Sequence, residues 1–157
     1  MKKAFVLFTA VLLFAGAAAA DISSNIGLEL PEIDLPSLDG KPASLQENKK
    51  TILVFFTSWS KASQNNLGFL QCLKENDQPV RIVGVSFDKK AKNVQEFASD
   101  NKISFPILID KKLSLINKLK LLVIPTTFCV NSSGVIEKVF VDYDDNVKKA
   151  IAEWVKL

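Results

Sequence analysis

The chain contains no histidine. That removes the side chain whose charge changes near neutral pH, the usual general base and the commonest metal ligand. Cysteine is almost as scarce: Cys72 and Cys129 are the whole complement and lie far apart in sequence. A zinc site of Cys and His ligands is therefore excluded, no metal or other cofactor is expected, and thiol chemistry would have to use this one distant pair. A strong excess of one charge is missing too. The formal net charge of +3 falls to about +1 without Lys2 and Lys3, so neither nucleic acid nor an acidic membrane is an indicated partner. After Ala20 there is no internal repeat, no low-complexity tract and no long apolar run.

The first twenty residues stand apart. Met1-Lys2-Lys3 is a short basic start, and Ala4 to Phe14 is an apolar run too short to span a bilayer. Ala18-Ala19-Ala20 before Asp21 has the small-residue pattern of a signal-peptidase site. Residues 1–20 are thus expected to be a cleavable signal peptide, with no cysteine after it to carry a lipid anchor. The mature chain is expected to be soluble and periplasmic or secreted. It would comprise a loose lead-in over 21–31 and one domain over 32–157, enough for a single core.

Within that domain the pattern alternates between strand and helix. Ile33 to Leu45 alternates apolar and polar residues around Asp39-Gly40, which predicts a hairpin. Thr51 to Phe56 is a continuous apolar, β-rich run, the mark of a strand buried on both faces. Ser60 to Asn76 reads as a helix with Leu67, Leu70 and Leu73 on one face. Val80 to Phe87 is a second buried strand, and Lys89 to Lys102 a helix carrying Ala91, Val94, Phe97 and Ala98 at helical spacing. A short strand over Phe105 to Ile109 and a short helix over Lys112 to Lys118 follow. Thr126 to Val130 is a strand starting just after Pro125, Asn131 to Gly134 a turn, and Val135 to Val141 the antiparallel return. Asp144 caps a last helix with Val147, Ala150, Ile151, Trp154 and Val155 in one stripe. Strand, helix, strand, helix, then a hairpin and a closing helix give an α/β domain: a mixed central sheet with helices on both faces.

The segment TILVFFTSWSKAS, Thr51 to Ser63, resembles the strand-turn-helix of TlpA/ResA-like thiol-disulfide oxidoreductases, in which an aromatic-rich strand leads into Trp-Cys-x-x-Cys. Trp59 matches the tryptophan, Ser60 the first cysteine and Ser63 the second. Val123 to Phe128 resembles the family's cis-proline segment, which faces the redox motif. Val83 to Asp88, followed by a helix and Phe105 to Asp110, resembles TlpA-like and peroxiredoxin-like redoxins, and Leu38 to Pro42 their amino-terminal hairpin. The resemblance runs in order over nearly all of Leu30 to Leu157. It implies a thioredoxin-like fold with an N-terminal β-hairpin extension. It also implies a groove at Trp59, Ile124 and Pro125 that receives a protein or peptide partner.

The departures bear on function. The family's reaction needs a thiolate that attacks a disulfide and a second thiol that resolves the mixed disulfide. Serine can do neither. Asn66 stands where relatives often carry a proton-moving glutamate, and Val54 where thioredoxins proper bury an aspartate. Ser60 and Ser63 as a hydrolytic pair would lack a base, since adjacent Lys61 does not face Ser60. Ser60 suits an N-cap whose hydroxyl accepts from the amide near Ser63. Cys72 and Cys129 are a candidate disulfide pair, against the simpler expectation of two buried free thiols. Phe56 is expected in the core, and Trp59 either lines the groove or covers Phe56. Three readings follow. One is a redox-inactive binding or accessory protein, favoured by Asn66, Val54 and the export signal. The second is an oxidoreductase seen as a Cys-to-Ser double variant, and the third a structural or interaction domain.

Overall fold

The computed structural model describes residues 22–32, 35–41 and 48–157. The signal-like residues 1–20 and most of the second arm of the expected hairpin lie outside the described residues. Five strands, β1 (Thr51–Phe56), β2 (Arg81–Ser86), β3 (Ile107–Ile109), β4 (Thr126–Val130) and β5 (Ile136–Val141), form one sheet in the order β3-β2-β1-β4-β5. Four helices accompany them: α1 (Lys61–Glu75), α2 (Ala91–Asp100), α3 (Ser114–Lys118) and α4 (Asp145–Lys156).

The continuous apolar run of β1 follows from its central place. It pairs in parallel with β2 and antiparallel with β4, so both of its faces are covered. Ile52, Val54 and Phe56 point to one face, where they meet Leu67 and Leu70 of α1, Val94 of α2, and Ile151, Trp154 and Val155 of α4. Leu53 and Phe55 point to the other, with Phe128, Val130, Ile136, Leu115 and Leu119. The steps from β1 to β2 and β2 to β3 run in the same direction across the sheet. Right-handed crossovers then put α1 and α2 on one face, while α3 lies on the other.

The lead-in is packed rather than loose. Ile22 is 1% exposed in the second core cluster, and Asn25 Nδ2 donates to the carbonyls of Ile22 and Leu119. Gly27 N donates to Ile136 O, Ile136 N to Leu28 O and Leu30 N to Gly134 O, so this segment lies along the start of β5. The reason is an uncovered sheet edge: β5 has β4 on one side only, and its free amides and carbonyls need partners. Of the expected hairpin, Pro36 to Leu38 lies against β3, with Leu38 N donating to Ile107 O and Ile109 N to Pro36 O. The expected strand from Phe105 shortens to Ile107–Ile109, and the expected helix from Lys89 begins at Ala91.

Candidate functional site

The site forms where β1 runs out into α1. Ser60 has extended backbone, and its Oγ accepts from Ser63 N at 3.3 Å, so the serine caps the helix as its chemistry predicts. Ser63 is one turn in, fully buried, and its Oγ has no hydrogen-bond partner. Asn66 is on the same buried face of α1. Its Nδ2 donates to Thr127 Oγ1 at 2.9 Å while its Oδ1 is unpaired. Val54 is fully buried and sits opposite Thr127 in the β1–β4 register. Neither position carries a carboxylate.

The antiparallel register Phe55↔Thr126 brings the start of β4 beside the end of β1. Continued by one residue, it sets Pro125 beside Phe56, at the edge from which the chain leaves for Trp59 and Ser60. The Ile124–Pro125 bond is cis. Pro125 is buried, Ile124 half-buried, and Leu122 and Val123 are exposed. Phe56 is fully buried in the core. Trp59 does not cover it, for its side chain stands 76% exposed. Pro125 thus lies beside the end of β1, and Trp59, Leu122 and Val123 present apolar surface to solvent.

The two cysteines part company. Cys129 is buried in β4, whereas Cys72 is exposed, and both are free. Neither the candidate disulfide nor the expectation of two buried thiols holds. The cause is helical phase: α1 buries Ser63, Asn66, Leu67, Leu70 and Gln71, and Cys72 falls about 100° further round. Burial, with the Glu137 carboxylate next in weight, pushes the Cys129 thiol up to about 12, so it is protonated and unreactive at neutral pH.

One residue that fixes this turn escaped the sequence reading. Asp88, buried just past β2, accepts from Ser58 N at 2.8 Å, Ser58 Oγ at 2.7 Å and Ser86 Oγ at 2.8 Å. The residue before Trp59 is therefore held by the end of the neighbouring strand. The available signal was an aspartate two residues beyond a serine at the close of a buried strand, a place where a charge needs partners. Among the described residues no group of His, Cys, Asp or Glu is arranged to hold a metal ion.

The geometry has counterparts among known proteins. The thioredoxin-like protein YneN of Bacillus subtilis (strain 168) is 30% identical over 140 residues, covering 85% of this chain and 82% of that protein. The sporulation thiol-disulfide oxidoreductase A of the same organism is 32% identical over 132 residues, covering 80% and 78%. The crystal structure of StoA from Bacillus subtilis superposes with a TM-score of 0.68 at 27% identity, over 80% of this chain and 96% of that one. The family model described as AhpC/TSA matches residues 26–139. With that much of the chain matched, and oxidoreductases of the ResA and StoA kind among its relatives, this chain belongs to the AhpC/TSA family as a TlpA/ResA-like protein of thioredoxin-like fold.

Proposed function

We propose that this chain is an exported, redox-inactive member of its family, a binding or accessory protein that receives an extended protein segment at the edge formed by Trp59, Ile124 and Pro125. The observation that carries the reading is the state of the two redox positions. Ser60 spends its hydroxyl on capping α1, and Ser63 is buried with an unpaired one. Neither oxygen can form or break a disulfide. The remaining thiols cannot substitute, because one is exposed on the outer face of α1 and the other is buried in β4. Meanwhile the exposed aromatic and aliphatic side chains at that edge are of the kind that anchor protein contacts. Export rests on the signal-like residues 1–20. Among the described residues no helix is long and apolar enough to cross a membrane.

Insulin reduction with dithiothreitol as the electron source tests the reading. The chain is expected to match the protein-free rate. Turnover that disappears in Cys72→Ala would overturn it. In parallel, reduced and carboxymethylated α-lactalbumin, a soluble unfolded polypeptide, is expected to bind the chain and to bind Trp59→Ala several-fold more weakly.

A further inference from the structure

We propose that Asp88 is a positioning residue that holds the Trp59 arm of the groove in its binding-ready conformation; this rests on the groove reading above. Every polar group of Ser58 is engaged. Its amide and hydroxyl donate to the two carboxylate oxygens of Asp88, at 2.8 and 2.7 Å, and its carbonyl accepts from Gln64 Nε2 at 2.9 Å. On the far side of Trp59, Ser60 N donates to Thr57 O at 3.3 Å. The tryptophan is thus fixed before and after, while its own side chain points into solvent.

Asp88 is itself over-determined. Its Oδ2 also accepts from Ser86 Oγ at 2.8 Å, and its backbone amide donates to Ser86 Oγ at 3.1 Å. Since Ser86 closes β2, the clamp fastens the β1–α1 loop to a central strand. A buried carboxylate is costly unless hydrogen bonds replace its water. Here three donors do so, two of them from the loop residue that precedes Trp59. The Coulombic and hydrogen-bond stabilisation of Asp88 therefore depends on one loop conformation.

The consequence for binding is entropic. An exposed tryptophan on a slack loop loses freedom when a partner seats on it, whereas one held in place beforehand loses little. Two of the three donors to Asp88 belong to Ser58, the residue that sets where Trp59 stands.

The test uses the whole chain with nitrogen-15 label, following the Trp59 indole relaxation, amide exchange at Ser58, and affinity for carboxymethylated α-lactalbumin. In Asp88→Ala, exchange at Ser58 is expected to quicken by about tenfold or more while the Val83 and Val85 amides keep their protection. The Trp59 indole gains fast motion, and affinity falls several-fold, towards that of Trp59→Ala. Asp88→Asn puts an amide donor against donors from Ser58 or Ser86 and is expected to fail the same way. Unchanged Trp59 motion and Ser58 exchange in Asp88→Ala would sink the proposal, as would loosening shared equally by Val83 and Val85. If Asp88→Ala does not fold, Ser58→Ala decides by the same two readouts, since it removes one arm of the clamp only. If Asp88→Ala frees Trp59 but neither it nor Trp59→Ala alters affinity, the groove reading falls and the clamp stands. If Trp59→Ala weakens binding while Asp88→Ala leaves motion and affinity alone, the clamp falls and the groove stands.

Discussion

Asn66 on α1 donates from Nδ2 to Thr127 Oγ1 on β4 at 2.9 Å, two residues beyond Pro125. This bond ties the helix that starts after Ser60 to the strand that follows Pro125. It is also incomplete, because Asn66 Oδ1 and the nearby-in-sequence Ser63 Oγ are buried without partners. Unpaired buried polar atoms lose hydration and receive nothing in return.

The asymmetry gives a prediction for this pair. Thr127→Val alone strands Asn66 Nδ2 as well as Oδ1 and is expected to cost about 1–3 kcal/mol. Asn66→Leu combined with Thr127→Val removes all the polar atoms together and is expected to recover most of that loss. Urea unfolding of the two single variants and the double closes the cycle. A double variant less stable than both singles would contradict the account.

Thiol labelling reports on the two cysteines. In the native chain one thiol, Cys72, is expected to react with an aromatic disulfide reagent at neutral pH, and both in denaturant. The raised ionisation of Cys129 also sets a pH dependence. Above the ordinary thiol value of 9.0 the unfolded chain loses this proton, while the folded chain keeps it to about 12. The unfolded state then binds fewer protons, so stability falls as pH rises from about 9 towards 12, and none of this loss is present below that window. Cys129→Ala is expected to show a shallower decline across the same range by thermal melts.

Much of this architecture is legible from pattern alone. β4 is Thr126–Val130 as expected, and Asp144 accepts from Val147 N at 2.8 Å as the cap of α4. Runs and caps are local, and a window of residues contains their whole cause. Cys72 illustrates what a coarse reading misses: a shift of one residue on α1 separates Gln71, buried, from an exposed thiol. Ile22 and Asp88 are harder. Ile22 is buried in the cluster that Leu115, Leu119 and Ile136 complete, and Asp88 matters because Ser58 of the β1–α1 loop and Ser86 of β2 converge on it. Such causes lie in tertiary convergence, which no single segment encodes.

A stabilising substitution follows from how α2 ends. Ile103 N donates to Ala98 O at 2.9 Å and Lys102 N to Ser99 O at 3.1 Å, a Schellman closure with Lys102 left-handed at φ 51°. A side chain in that conformation costs about 1 kcal/mol that glycine does not. Lys102→Gly is therefore expected to raise the melting temperature by a few degrees, net of the extra freedom glycine gives the unfolded chain. A lower melting temperature would count against the strain.

Introducing thiols at positions 60 and 63 separates scaffold from chemistry. In Ser60→Cys/Ser63→Cys the α1 start and the clamp on Ser58 persist, so the two new thiols are expected to form a reversible disulfide under mild oxidant. The thiol at position 60 replaces the N-cap oxygen that accepts from Ser63 N. Its thiolate would face the unpaired amides of the helix start, and its pKa is expected below the ordinary thiol value. The thiol at position 63 has no such help, because its site is fully buried and Asn66 and Val54 offer no group to carry its proton. Insulin reduction by the double variant is therefore expected to rise above the parent but to stay slow. Adding Asn66→Glu supplies a carboxylate one turn along the same face and is expected to raise the rate again, at some cost in stability from the buried charge. Alkylation rate against pH, redox potential and turnover, measured on the three chains together, decide the matter. If the double variant folds and its introduced thiols never pair with each other, the backbone at this turn has moved away from its relatives. The exposed edge at Trp59 would then be a plain interaction surface rather than an active site whose thiols were replaced.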